Sequence, residues 1–93
     1  MRFAPNDVAP DMADRLAKSL RLAGVGVAEM AQWLEKSPNT VGTWLRGTAK
    51  PDPANLKMWA IRTGVPSEWL ETGIWPEGWP GNPDDLMNHV NQA

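Results

Sequence analysis

The chain has 93 residues, of which 42% are hydrophobic, and it contains no cysteine. A chain of this length builds one small domain around one core, and without cysteine it has neither a disulfide framework nor a thiolate zinc site. Its apolar runs are all shorter than the about 18 residues that a membrane span needs, and no signal peptide is recognised at the N-terminus, so a cytoplasmic protein is expected.

The net charge of −2 is unevenly distributed along the chain. Residues 1–64 hold all nine Lys and Arg and six acidic residues, a net charge of +3, whereas residues 65–93 hold five acidic residues and no Lys or Arg. Binding to DNA needs a local basic surface and not a basic chain. The distribution therefore permits DNA binding, although an ordinary solvated surface with an acidic tail has the same pattern.

The predicted structure begins with an arm and an amphipathic helix. Residues 1–10 are predicted to form a flexible N-terminal arm. Met12, Leu16 and Leu20 then recur every four residues, which predicts a helix with one apolar stripe over residues 11–23. This helix is expected to supply the first apolar face of the core.

Two short helices joined by a tight turn are predicted within residues 27–47. The first covers 27–34 and the second covers 38–45. Ser37 followed by Pro38 is a typical helix start, because the hydroxyl caps free backbone N–H groups and proline fits the first helical position. The residues of the first helix that are expected to be buried are Val27, Met30, Ala31 and Leu34.

The remaining segments are also predicted to be helical or irregular. A fourth helix is predicted over 54–63 and a short fifth helix over 66–72, each ended by glycine. Residues 74–81 combine tryptophan with proline and glycine and predict an irregular strap, and a short last helix is predicted over 82–90. Because no segment alternates as a strand does, the predicted fold class is all-α.

The pattern of residues 27–47, set among five short helices, resembles the lambda-repressor-like helix-turn-helix family, which includes Cro-type and Xre-type phage and bacterial regulators. The resemblance covers residues 11–73 and implies a compact five-helix DNA-binding domain, followed by a C-terminal strap and acidic tail over 74–93. The residues that carry it most specifically are Met30, Ala31, Leu34, Ser37, Thr40, Val41, Trp44, Arg46, Gly47, Lys50 and Pro51.

The resemblance implies a sequence-specific transcriptional regulator in a bacterial cell or a phage-infected host. Its helix 38–45 would enter the major groove of double-stranded DNA. The residues implied to contact bases are Pro38, Asn39, Thr40 and Thr43. The residues implied to contact the DNA backbone are Arg46, Lys50, Lys36, Arg21 and Trp44.

These roles have alternatives that involve no DNA. Asn39 and Thr40 are also ordinary capping residues of a first helical turn, single lysines commonly belong to a solvated surface, and core packing explains Trp44 at least as well. Asparagine pairs with adenine through two hydrogen bonds, and the threonine methyl can contact the thymine methyl, which favours base contact.

Two positions depart from the pattern of the family. Glu35 occupies the first position of the turn, where the family usually has a glycine with positive φ, so either the turn differs or it is strained. Val27 begins the second helix, where the family often has a glutamine that contacts a phosphate. The departure at Val27 shifts the expected backbone contacts toward Arg46 and Lys50.

No arrangement of residues is typical of an enzyme. His89 is the only histidine, and Asp84 and Asp85 are adjacent in sequence and do not face each other as a catalytic pair would. The chain has no glycine-rich phosphate loop and no nucleophile accompanied by a base. Neither catalysis nor a metal nor a cofactor is expected.

Two other functions and a self-association are considered. The same fold would suit a protein-interaction module, such as an antitoxin-like or adaptor subunit, or an architectural DNA factor that bends its site. A weak homodimer through residues 66–90 is expected, because the tryptophans of the strap are too apolar for a free tail. The alternative is a monomer in which the strap folds onto its own core.

Overall fold

A computed structural model describes residues 11–81, which form five α-helices and no strand. The predicted all-α class is therefore confirmed for this part of the chain. The helices are α1 (Met12–Ala23), α2 (Val27–Leu34), α3 (Pro38–Arg46), α4 (Pro53–Thr63) and α5 (Ser67–Thr72). None of the five is both long enough and apolar enough to cross a membrane. The predicted arm over 1–10 and the predicted last helix over 82–90 lie outside the described residues.

Capping side chains determine where the helices begin. At the start of α3, the hydroxyl of Ser37 accepts a hydrogen bond from the backbone N–H of Thr40 at 3.1 Å, and Asp52 caps α4 in the same way. Asp11 accepts from the N–H of Asp14 at 3.1 Å, so Asp11 is the N-cap of α1 and the predicted start of this helix was one residue early. Each cap satisfies an N–H group that the helix itself leaves unpaired.

One apolar cluster forms the core. Helix α1 packs against α3, α4 and α5, while α2 packs against α3 and α4. Val27 was expected in this cluster, but its side chain is 38% exposed. It is the first residue of α2 and lies on the side of that helix that faces solvent. The buried apolar residues are Leu16, Leu20, Val25, Met30, Ala31, Leu34, Val41, Trp44, Leu56, Trp59, Ala60, Val65, Trp69 and Leu70.

Ser19 is the one polar residue buried among the described residues. The indole N–H of Trp59 donates to its hydroxyl at 2.8 Å, and that hydroxyl donates to the carbonyl of Leu16 at 2.7 Å. Burying a polar group costs free energy unless it is hydrogen-bonded. The chain from Trp59 through Ser19 to Leu16 therefore lets a tryptophan occupy the centre of the core.

Arg15 joins α1 to the end of α5. Its Nε donates to the carbonyl of Leu70 at 3.0 Å, and its Nη2 donates to the carbonyl of Glu71 at 3.3 Å. The last carbonyls of a helix have no partner within the helix and carry its negative dipole end, which favours a cation there. Partial burial lowers the pKa of Arg15, and the nearby carboxylates of Asp11 and Asp14 oppose this.

Residues 74–81 follow α5 without forming a helix. Trp75 packs edge-on against Trp69, with ring centroids 5.4 Å apart, and its indole N–H donates to the carbonyl of Trp79 at 2.7 Å. Ile74 and Trp79 are 63% and 46% exposed. This segment thus adds one half-buried tryptophan to its own core and leaves two large apolar side chains in solvent.

Candidate nucleic-acid interface

A tight turn sets the direction of α3 relative to α2. Glu35 follows α2 in the left-handed conformation, with φ 57° and ψ 43°. Its N–H donates to the carbonyl of Gln32 at 3.2 Å, and the N–H of Lys36 donates to the carbonyl of Ala31 at 2.9 Å. These two bonds satisfy carbonyls that the end of α2 would otherwise leave unpaired.

Glu35 is strained in this turn. Helices α1 and α3 also end with a left-handed residue, but there the residue is Gly24 or Gly47. Among the described residues, Glu35 is the one non-glycine with positive φ, a conformation that costs an L-residue with a side chain about 1–2 kcal/mol. Of the two alternatives considered for Glu35, the structure therefore shows the strained turn and not a different one.

Replacing Glu35 by glycine is expected to raise the free energy of unfolding by about 0.5–1 kcal/mol, because relief of the left-handed strain exceeds the entropy that glycine loses on folding. Urea denaturation followed by tryptophan fluorescence measures the change. Gln32→Gly is the control, since Gln32 has ordinary helical geometry on the same helix and the same substitution there should destabilise by about 1 kcal/mol. Equal destabilisation by both variants would contradict the strain.

The inner face of α3 holds the helix against α1 and α2. Val41 and Trp44 are buried, and Leu45 is half-buried against the core. Trp44 is 6% exposed, and its ring centroid lies 6.2 Å from that of Trp59. A side chain that is so nearly buried has little surface to offer a phosphate. Core packing, the alternative considered for Trp44, is therefore observed, and its contact with the DNA backbone stays a prediction.

The outer face of α3 is open to solvent. Asn39, Gly42, Thr43 and Arg46 are spaced i, i+3, i+4 and i+7, which places them on one side of a helix. Asn39 and Arg46 are exposed, while Gly42 and Thr43 are half-buried. This face lies opposite Val41, so it is the side that α3 can present to a partner.

The four residues expected to contact bases differ in how many of their hydrogen-bonding groups are available to a partner. The hydroxyl of Thr40 lies 3.1 Å from that of Ser37, and the hydroxyl of Thr43 donates to the carbonyl of Thr40 at 2.6 Å. Both threonines are therefore engaged within α3, and Thr43 retains its methyl group for contact. Pro38 is exposed but offers no hydrogen-bond donor. The side chain of Asn39 is exposed and has no partner among the described residues, which leaves all of its donors and acceptors available.

Three of the expected backbone contacts carry positive charge close to α3 in sequence. Residues 36–51 contain Lys36, Arg46 and Lys50 and no acidic residue, and all three cations are exposed. Lys50 borders a cavity of about 230 Å³ between the end of α3 and the start of α1. The segment that contains the outer face therefore has a net positive charge.

Arg21 lies on α1 and is also exposed. With Val27 and Leu45 it lines a shallow depression of about 480 Å³. The structure thus brings Arg21 next to the start of α2 and to the last turn of α3, although Leu45 comes 24 positions after it in the sequence. Arg21 therefore places a positive charge close to the last turn of α3.

Gly42 is a residue of this face that the sequence interpretation missed. A Cβ atom at Gly42 would lie 3.0 Å from Nη1 of Arg46, because the guanidinium lies over this glycine. Among the described residues, no carboxylate is within ion-pair distance of Arg46. The four-residue spacing between Gly42 and Arg46 is visible in the sequence, but only the folded helix shows that its outer side is the open one.

Comparisons with known proteins assign no family to the chain. No family model, no curated protein and no solved structure matches it.

Proposed function

We propose that the protein is a sequence-specific transcriptional regulator of the lambda-repressor-like type, similar to a phage Cro protein or immunity repressor. In this proposal residues 11–73 are the DNA-binding domain, and α3 enters the major groove of double-stranded DNA. The observation that carries it is the outer face of α3, where the amide of Asn39 and the guanidinium of Arg46, neither with a side-chain partner among residues 11–81, lie on one open side.

The dimensions and charges of this face support the proposal. The major groove is about 12 Å wide and admits one α-helix whose exposed side chains reach the base edges. Asn39 can bind adenine through two hydrogen bonds. Positive charge lies near α3 on three residues: Lys36 and Lys50 are close to it in the chain, and Arg21 is close to it in space. These residues supply contacts to phosphates, which position the helix without reading the DNA sequence.

Replacing Asn39 by alanine is expected to weaken binding to the preferred DNA site by about 1–3 kcal/mol and to relax the preference at one base pair, because the two hydrogen bonds to adenine are lost. A fluorescence titration against the preferred site and its single-base variants measures both effects. The preferred site itself comes from an unbiased selection with the purified protein.

The control is Asn55→Ala on α4, where the amide of Asn55 is engaged by the carboxylate of Asp52 at 3.0 Å. This variant should leave DNA affinity and preference unchanged. The proposal would be wrong if the unmodified protein bound no DNA at low salt, where phosphate contacts are strongest.

A second function, a protein-interaction module, is favoured by an apolar surface on another part of the molecule. A cavity of about 650 Å³ lies between α4, α5 and residues 76–79, and it is bordered by Ile61 and Trp79, which are 68% and 46% exposed. The homodimer proposed through residues 66–90 would use the same surface. Absence of DNA binding would favour this module, whereas strong bending of bound DNA without a base preference would favour an architectural factor.

A further inference from the structure

The side chain of Arg46 lies along α3, and its direction determines which groups of bound DNA it can contact. We propose that Arg46 reads a guanine in the major groove, and that Gly42 provides the space in which its guanidinium is held for this task. The inference rests on the proposed DNA-binding function. It revises the expectation that Arg46 contacts the DNA backbone.

The side chain of Arg46 points back along α3 toward Gly42. Side chains on an α-helix lean toward its N-terminus, so a residue near the end of a helix covers the turn before it. Nη1, Cζ and Nη2 of Arg46 would lie 3.0, 3.8 and 3.9 Å from a Cβ at Gly42. The guanidinium therefore lies over the middle of the outer face of α3, and not beyond the end of the helix where the phosphate contact was expected.

The guanidinium of Arg46 has the chemistry that recognises a guanine. Guanine presents two acceptors, O6 and N7, in the major groove, and the planar fork of arginine matches both. Arg46 is exposed and has no carboxylate partner among the described residues, so its donors are not committed to another group. Because the guanidinium of Arg46 lies on the face of α3 that enters the groove, it reaches base edges before it reaches phosphates.

Glycine occupies position 42, in the interior of α3. Glycine inside a helix costs about 1 kcal/mol relative to alanine, so another residue would suit a helix of nine residues better. Any side chain at this position would begin 3.0 Å from Nη1 of Arg46, a tight contact that would push the guanidinium outward by a few tenths of an ångström. Gly42 therefore allows Arg46 to lie flat against α3 and allows the helix backbone to approach the base edges closely.

The geometry also limits where the guanine lies. Asn39 and Gly42 are three residues apart, which corresponds to about 4.5 Å along the helix axis. Successive base pairs are about 3.4 Å apart. If Asn39 reads an adenine, the guanine read by Arg46 lies within about two base pairs of it.

The test is an unbiased DNA selection followed by titrations at several salt concentrations. It compares the unmodified protein with Arg46→Ala, Arg46→Lys and Gly42→Ala. We expect a guanine in the consensus of the unmodified protein. Both Arg46 variants should lose on the order of 10- to 100-fold of the discrimination at that one position, and Gly42→Ala should lose a smaller part of it because the fork is shifted but kept. Arg46→Lys should keep the salt dependence because it keeps the charge but not the planar fork.

Melting temperatures separate this role from a structural one. Gly42→Ala should melt at the same or a higher temperature than the unmodified protein, since alanine favours a helix, and yet its guanine preference should be measurably lower. Arg62→Ala is the control, because Arg62 lies on α4 and pairs with Glu29. This variant should leave the consensus unchanged.

Two results would overturn the inference, and they can be distinguished. If Arg46→Ala weakened binding to all sequences equally, with an unchanged consensus and a salt slope lower by about 0.9, Arg46 would be a phosphate contact and the proposed function would stand. If the unmodified protein bound no DNA at low salt, the proposed function would fail and the inference would fail with it.

Discussion

Replacing Trp59 by alanine is expected to lower the free energy of unfolding by about 3–5 kcal/mol, the usual cost of removing a buried aromatic side chain. Trp59 is fully buried, and its ring lies against that of Trp44. Its indole N–H also donates to Ser19. Because a chain of this size has a total stability of roughly 5–14 kcal/mol, this one substitution would remove a large share of it.

Urea denaturation followed by far-ultraviolet circular dichroism measures this change without relying on the deleted tryptophan. The control is Ile61→Ala on the same helix, where the side chain is 68% exposed and the change should stay within about 0.5 kcal/mol. The polar part of the effect is isolated by Ser19→Ala, which should cost about 1–3 kcal/mol because the buried N–H of Trp59 loses its acceptor. A stability of Trp59→Ala equal to that of Ile61→Ala would contradict this account of the core.

Replacing Arg15 by methionine is expected to lower the free energy of unfolding by about 2–3 kcal/mol, because hydrogen bonds from a charged donor to the last carbonyls of α5 are lost. Methionine keeps the apolar stem of arginine and removes its charge and donors. The carbonyls of Leu70 and Glu71 would then lose these donors at a helix end that attracts positive charge.

Hydrogen exchange of the α5 amides, combined with urea denaturation, locates the effect of this variant. We expect faster exchange in α5, since a helix of six residues depends on packing and on contacts at its ends. Arg21→Met on the exposed side of α1 is the matched control and should change stability by less than about 0.5 kcal/mol. Equal losses in the two variants would show that the contact between Arg15 and α5 adds nothing.

The positions of the helices were predictable because the signals that start and end a helix act over one turn. Ser37 and Pro38 begin α3 as predicted, and α2 has the predicted bounds of Val27–Leu34. Helix α3 extends to Arg46, one residue beyond the predicted end, because Gly47 takes the left-handed conformation that closes it. A cap or a glycine can be recognised without knowing what lies across the core.

The candidate site was predictable only in part. Asn39 is exposed and its amide has no partner among the described residues, as a contact with bases requires. Trp44, in contrast, belongs to the core. The hydroxyls of Thr40 and Thr43 are engaged by Ser37 and by the carbonyl of Thr40. The periodicity of α3 allowed either Trp44 or Leu45 to face inward. The choice depends on where α1 and α2 meet the helix, and that contact leaves no local signal in the sequence.

The all-α class of the described residues and the bounds of their helices, to within one or two residues, could be predicted from the sequence alone. Each follows from interactions within a few neighbouring residues. Tertiary packing was needed to establish that Arg15 reaches the carbonyl of Leu70, 55 residues away, that Ser19 accepts from Trp59, and that the side of α3 bearing Arg46 is open. These depend on how distant helices pack, because burial and long-range hydrogen bonds are properties of the assembled core and not of any one segment.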